Sequence, residues 1–236
     1  MWYNILRNRR GAGETAPGTY PHKEGKIMAK NPLIITIGRE YGSGGREIGR
    51  QLAEKLGISF YDKEIISLAA EKSGLSPEFI KSNEQRTSGG IVHSMGVSAH
   101  YQGGFFAPHH LPLSETIFIS QAQVIRDIAA KERAVIVGRC ADYILAGRKN
   151  TVNIFIHAPK EDRVRRIMAI YGLSEADALK EIARSDKERG NHYFRYTDLK
   201  WGKAQNYDLC VNSSLLGIEG TVEMLMDVAK IEDRTL

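Results

Sequence analysis

Cysteine is scarce in this chain and long apolar runs are missing. The 236 residues hold two cysteines, Cys140 and Cys210. They stand far apart and match no metal-binding spacing, so the expectation is two reduced thiols in a cytoplasmic protein. No apolar stretch approaches the roughly 20 residues that cross a bilayer. The early arginines Arg7, Arg9 and Arg10 precede a Gly/Pro-rich stretch rather than an apolar segment, so a secretory signal is not expected. No run of five basic residues, zinc-finger spacing or RNP-like motif occurs, so nucleic acid is not the expected partner. The formal net charge of +5 still suits some polyanion, a nucleotide among them. No Ser/His/Asp or Cys/His order supports covalent catalysis. His109-His110 has no evident third metal ligand.

What is present is a strand running into glycines. Leu33 to Gly38 is a continuous apolar run, the pattern of a strand buried on both faces. Arg39-Glu40-Tyr41-Gly42-Ser43-Gly44-Gly45-Arg46-Glu47 follows and opens a helix. A phosphate loop needs glycines because backbone N–H groups must approach the anion closely. The helix N-terminus adds partial positive charge. Gly42, Ser43, Gly44 and Gly45, with Arg46 and Glu47, are the expected nucleotide-binding residues. The literal pattern G-x4-G-K-[ST] fails, because no lysine and no Ser/Thr follow Gly44. A dinucleotide site is a rival reading. There Gly42-x-Gly44 would be two of three glycines, but Glu47 holds the place of the third. A purely structural turn is the other alternative.

Further along, a helix to Leu56 stops at Gly57, and Ile58–Tyr61 reads as a second strand. Asp62 can cap the next helix, and Ser76-Pro77-Glu78 reads as another helix start. Residues 87–113 carry five glycines, four histidines and two prolines, the composition of a long insertion. A helix over 114–131, a strand over 134–137 ending at Gly138-Arg139, a short helix over 141–146 and a strand over 152–156 come next. Helices over 160–171 and 174–189, a strand over 207–211 and a helix over 218–231 complete the pattern. Ser174 to Asp177 resembles a capping box. Strands alternating with helices predict an α/β fold with a five-stranded parallel sheet. Its active site belongs at the carboxyl ends of the strands. Residues 1–31 are expected to be a disordered tail, or the product of a mis-assigned start with Met28 as the true beginning. The domain is expected over 32–236.

The order of these motifs resembles the cytidylate kinase-like family, within the P-loop nucleoside monophosphate kinases, over residues 33–230. The residues that carry it are Ile35-Thr36-Ile37, Leu52-Ala53-Glu54-Lys55-Leu56, Asp62, Gly138-Arg139 and Ile154-Phe155-Ile156. Arg163-Val164-Arg165-Arg166, the run Arg184 to Arg189, Tyr207-Asp208-Leu209 and Asn212-Ser213 continue it. The resemblance implies a three-layer α/β/α fold with an insertion that grips the monophosphate and a helical lid at about 184–203. Without gaps, Gly45 falls on that family's lysine, Arg46 on its next glycine and Glu47 on its threonine. Val137 and Cys140 fall on its two aspartates flanking Gly-Arg. The loop sequence resembles a divergent, kinase-like branch.

The function this implies is ATP- and Mg2+-dependent phosphoryl transfer to a nucleoside monophosphate, by default CMP or dCMP. Arg46 is expected to replace the lysine on the β- and γ-phosphates. Arg184, Lys187 and Arg189 are expected to neutralise the transition state. Asp62, Arg139, Asp186 and Glu188 are expected at the acceptor, with Asp142 as a substitute for the lost carboxylate. Glu47 is the candidate magnesium ligand. Each has a plainer reading: a surface arginine, a helix-dipole carboxylate, a cap, or a solvated salt-bridged helix face. Arg39 and Glu40 are secondary candidates, since they can pair with each other. Two alternatives stand beside the kinase: a nucleotide-binding regulatory module without turnover, and a small-molecule kinase with a non-nucleotide acceptor.

Overall fold

The computed structural model describes residues 32–73 and 113–234. Its elements are β1 (Ile34–Arg39), α1 (Gly45–Leu56), β2 (Ser59–Tyr61), α2 (Glu64–Ser73), α3 (Leu113–Lys131), β3 (Ala134–Val137) and α4 (Ala141–Ile144). Then come β4 (Thr151–His157), α5 (Lys160–Tyr171), α6 (Glu175–Thr197), a 3-10 turn (Ala204–Asn206), β5 (Leu209–Asn212) and α7 (Ser213–Arg234). The expected tail, the helix start at Ser76 and all but the last residue of the 87–113 insertion lie outside the described residues.

The five strands form one parallel sheet in the order β2-β3-β1-β4-β5. Strand β1 is central because both its faces are apolar. Leu33, Ile35 and Ile37 join Ile48, Leu52 and Ala53 of α1 and Val222 and Leu225 of α7 in one core layer. Ile34 points the other way, into a layer with Ile65 of α2, Ile125 and Ile128 of α3, Ile144 of α4 and Tyr193 of α6. Successive strand side chains point to opposite faces, so one continuous apolar run serves both layers. The buried Thr36 is satisfied by donating from Oγ1 to Asn153 Oδ1 at 2.8 Å. A third, smaller cluster of Val164, Ile167, Ala178 and Ile182 packs α5 against α6.

Register sets the site. Ile37 pairs with Val137 on one side and Ile154 on the other. The Gly38-Arg39 and Gly138-Arg139 steps therefore leave the sheet side by side, and the Gly138 amide donates to Ile37 O at 2.9 Å.

Among the boundaries that differ from the sequence pattern, three bear on the elements around the site. Helix α6 does not stop at Arg189 but continues through Gly190 to Thr197, where Asp198 turns left-handed at φ 59°. A helical glycine costs only about 1 kcal/mol relative to alanine. Burial of Tyr193 and Thr197 on the far side of it outweighs that. Strand β5 begins at Leu209, not Tyr207, and Asp208 just before it is held to β4, its side chain accepting the Asn153 amide at 2.7 Å and its own amide donating to Asn153 O at 2.8 Å. Helix α7 starts at Ser213, with a kink at Gly217 (φ 68°, ψ −179°) that separates the first turn from the expected helix. The capping box at Ser174 is half formed. Ser174 Oγ accepts the Asp177 amide at 3.2 Å, while the shorter aspartate takes the Ser174 hydroxyl itself at 2.7 Å.

Candidate active site

The glycine loop is built to expose backbone rather than side chains. Gly42 and Gly44 have φ of 81° and 78°, the left-handed region that L side chains rarely adopt. Helix α1 has Gly44 as its N-cap, which brings no capping side chain. The loop is held from within by the buried Ser43, whose hydroxyl donates to Glu40 O at 2.9 Å. It is strapped from the β5–α7 junction by Ser213, whose hydroxyl donates to Ser43 O at 2.6 Å. Helix α5 packs behind it: a Cβ on Gly42 would stand 3.0 Å from Arg163 Cβ.

Beside the loop, at the carboxyl ends of β1 and β3, lies a cleft of about 270 Å³. Arg39, Arg139 and Arg189 line it, with Asp142, Glu188 and His192. The ring of Phe155 packs against Trp201 at 5.3 Å and Tyr207 at 5.0 Å beneath it. Arg39 is largely buried, with 19% of its side chain exposed. Burial first, then repulsion from Arg189, pushes its pKa down to about 9, against an opposing pull from Asp62. It keeps its charge at neutral pH. Burial likewise lowers Arg189, which donates to Arg39 O at 3.1 Å and lies over the Tyr41 ring at 5.4 Å. Three mostly buried guanidinium groups thus converge on one cleft, Arg39 with Asp62 at 3.5 Å and Arg189 with Asp186 at 3.8 Å, an arrangement suited to an anion.

The structure sorts the expected residues into three groups. Arg139, Arg189 and Glu188 line the cleft, with Asp142, whose Oδ2 accepts the Tyr193 hydroxyl at 2.7 Å. Burial raises the Asp142 carboxyl above the usual carboxylate range despite that bond. A second group sits at the rim. Asp62 is buried, with its Oδ2 2.6 Å from Arg46 Nε and its Oδ1 3.5 Å from Arg39 Nη2. It binds arginines rather than capping α2. Arg46 is 57% exposed and its pKa is raised, chiefly by that hydrogen bond. The expected Arg39–Glu40 pairing does not form. Glu40 instead accepts the Ala158 amide at 3.2 Å and lies 3.5 Å from Arg163 Nε.

The third group points away. Glu47 accepts from Arg50 at 2.8 Å and Gln51 at 2.7 Å on the exposed face of α1. Those bonds, first of all, lower its pKa. Its carboxylate is turned from the loop, so it does not fit as a magnesium ligand. Arg184 is 58% exposed and bound to Glu181 at 2.7 Å and Glu188 at 3.2 Å; Lys187 is exposed beside it. Helical geometry explains this: Ser185, Glu188, Arg189 and His192 form the cleft-facing stripe, and residues 184 and 187 lie off it. Asp186 lies between the loop and the cleft, accepting the Tyr41 amide at 2.7 Å and Arg163 Nη1 at 2.5 Å, with its Oδ1 also 3.8 Å from Arg189 Nη1.

Several cleft residues escaped the sequence reading. His192 and Tyr193 were hidden by ending α6 at Arg189. Trp201 falls within the expected lid at about 184–203 and Tyr207 at the expected start of the last strand, but neither is among the expected site residues. Cys140, 3.7 Å from His192 Nδ1, stands in the left-handed region at φ 54°. Val137, at the family's strand-aspartate position, is fully buried in the apolar layer and binds nothing polar. Among the described residues no cluster of three or more His, Cys, Asp or Glu could hold a metal. None of their helices is long and apolar enough to cross a membrane.

The model of the cytidylate kinase-like family matches residues 34–215, from the first residue of β1 to just past the loop-strapping Ser213. The chain belongs to this family. Curated relatives at full length are distant. The cytidylate kinase of Ignicoccus hospitalis is 24% identical over 205 residues, covering 87% of this chain and 92% of the relative. That of Pyrococcus horikoshii is 24% identical over 195 residues, covering 82% and 86%. A uronate isomerase of Corynebacterium glutamicum is 32% identical over 107 residues, which is 44% of this chain but only 21% of that protein. Among solved structures, an uncharacterized protein from Eubacterium ventriosum shares 28% identity at a TM-score of 0.62, covering 84% of this chain and 98% of that one. The fold is thus the α/β P-loop kinase fold with an all-parallel five-stranded sheet. Family membership supports a phosphotransferase of the nucleotide or small-molecule kinase type.

Proposed function

We propose that this member of the cytidylate kinase-like family transfers the γ-phosphoryl group of ATP to a nucleoside monophosphate, with CMP or dCMP as the default acceptor. The observation that carries the proposal is the arginine-lined cleft at the carboxyl ends of β1 and β3, reached by Arg39 at the start of the glycine loop. Phosphoryl transfer asks a protein chiefly to position reactants and neutralise charge, and that is what this cleft offers. ATP brings its phosphates to the loop amides and the arginines at the rim. The acceptor phosphate lies against Arg139, with its sugar and base over the Trp201 and Tyr207 side. One acceptor phosphate oxygen attacks the γ-phosphorus in line, the bond from the γ-phosphorus to the β–γ bridging oxygen breaks, and ADP leaves. Arg189 supplies charge to the transferring group from within the cleft. Arg184 and Lys187 take part only if α6 turns its exposed face inward. Magnesium arrives with ATP as part of the substrate, and no step is assigned to a protein-held metal. The domain is read as 32–236, with a cytoplasmic location. An ADP-release assay over CMP, dCMP, UMP and AMP tests the reading; no turnover with any of them sinks it.

A second reading, a nucleotide-binding regulatory module without turnover, is favoured by the apolar Val137 at the family's strand-aspartate position. Calorimetric ATP binding with no ADP formed on any acceptor selects it.

A further inference from the structure

The phosphate-loop pattern is glycine, four residues, glycine, lysine. Anchored on Gly44, it asks for glycine at residue 39 and lysine at residue 45. This chain has the two residue types the other way round, arginine at 39 and glycine at 45. The structure shows that the two positions share one space. A Cβ added to Gly45 would stand 2.6 Å from Arg39 Cβ and 3.2 Å from Arg39 Cγ, with Ile156 Cβ at 3.1 Å. The offending Arg39 atom is fixed to the backbone, so it cannot swing aside. Only one of the two residues can carry a side chain. Here the stem of Arg39 crosses that space from the opposite end of the loop.

The guanidinium at the end of that stem is placed for an anion. It lies against Gly138, where a Cβ would strike Arg39 Nη1, and so reaches over the end of β3. It lines the cleft with Arg139 and Arg189. Its carboxylate neighbour is engaged elsewhere: Asp62 gives Arg46 a 2.6 Å bond and Arg39 only a 3.5 Å approach. Arg46, the arginine adjacent to the missing lysine in sequence, is more than half exposed and tethered to Asp62.

We propose that Arg39 is the donor-phosphate cation of this protein, set in the lysine's place by a reciprocal exchange with Gly45, and that Arg46 acts by anchoring Asp62. This rests on the reading that the loop holds a nucleoside triphosphate. A guanidinium in that place offers paired planar donors to the phosphates, where an ammonium offers a point charge.

Calorimetry of the full chain with ATP and with inorganic tripolyphosphate tests it, alongside thermal unfolding. Arg39→Met keeps the stem and removes the charge. It is expected to lower tripolyphosphate affinity tenfold or more while the chain stays folded, since Asp62 keeps its 2.6 Å bond to Arg46. Arg39→Lys keeps the charge and loses the planar fork, and its affinity is expected to fall between those of wild type and Arg39→Met. Equal affinity in wild type and folded Arg39→Met overturns the proposal. Should Arg39→Met not fold, the paired variant Arg39→Gly/Gly45→Lys decides. Binding within about threefold of wild type supports the exchange, and a folded double variant that binds no tripolyphosphate overturns it. Wild-type protein that binds neither ATP nor tripolyphosphate removes the proposed function itself. A wild type that binds both, unaffected at residue 39, removes only this inference.

Discussion

Arg163 Nη1 lies 2.5 Å from Asp186 Oδ2, and the other oxygen of that carboxylate accepts the Tyr41 amide at 2.7 Å. Helix α6 is thereby tied both to α5 and to the glycine loop. Removing Asp186 leaves a buried arginine with only Glu40, at 3.5 Å, as a counter-charge. Uncompensated buried charges cost about 3–5 kcal/mol. Asp186→Ala is expected to destabilise the protein by about 3 kcal/mol in urea unfolding. An equal stability of variant and wild type would show that Glu40 compensates in full.

The strap from Ser213 to Ser43 O gives a second, smaller effect. Ser213 is fully buried and its 2.6 Å bond satisfies a loop carbonyl. Leaving a buried acceptor unpaired costs about 1–3 kcal/mol. Ser213→Ala is expected to lose that much stability and to speed amide hydrogen exchange in residues 40–45. Unchanged exchange there would mean that the strap does not hold the loop.

Asp142 yields a pH prediction. Burial raises its folded pKa above the usual carboxylate range. The folded state therefore binds this proton more tightly than the unfolded chain does. That contribution is fully present below the unfolded pKa and is lost as pH rises through the folded value. At neutral pH the ionised group is a burden. Asp142→Asn, which still accepts the Tyr193 hydroxyl, is expected to be more stable than wild type at pH 7, and the gap is expected to close towards pH 4. Denaturant titrations at several pH values check this, and a gap that widens on acidification refutes it.

Asp62 opposes anion binding while it holds the arginines in place. Asp62→Asn is expected to bind tripolyphosphate several-fold more tightly at low salt, because the one buried carboxylate at the rim has lost its charge. The gain is expected to shrink as salt approaches physiological strength, where the screening length is about 8 Å. The same variant is expected to unfold more easily, since Arg39 and Arg46 lose their shared partner. Weaker binding at low salt would make Asp62 a positioning group above all.

How much of this was legible in the sequence depends on what local chemistry decides. Strand β1 and its loop were legible because an unbroken apolar run and closely spaced glycines have few other uses. Helix α5 was read to the residue, since proline before it and Gly172 after it fix both ends. The extent of α6 was not legible, because Gly190 signals a stop locally while burial of Tyr193 overrides it. The direction of Glu47 was equally hidden. Its partners Arg50 and Gln51 follow on the same helix face, but nothing local says whether that face looks into the loop or to solvent. Arg39 was set aside as pairing with Glu40, which Arg163 occupies from 123 positions further along the chain (163 − 40). Long-range choices between equally plausible partners are what the chain order does not encode.

The crowding between residues 39 and 45 also constrains how such a loop could have arisen. A form with side chains at both positions is sterically closed, since their Cβ atoms would stand 2.6 Å apart. Two loops, one basic at 45 and one basic at 39, are therefore not joined by a route that gains the new cation before losing the old. The passage runs through glycine at both sites, a loop with no such cation at all. The two positions are therefore coupled, and a side chain gained at one requires glycine at the other.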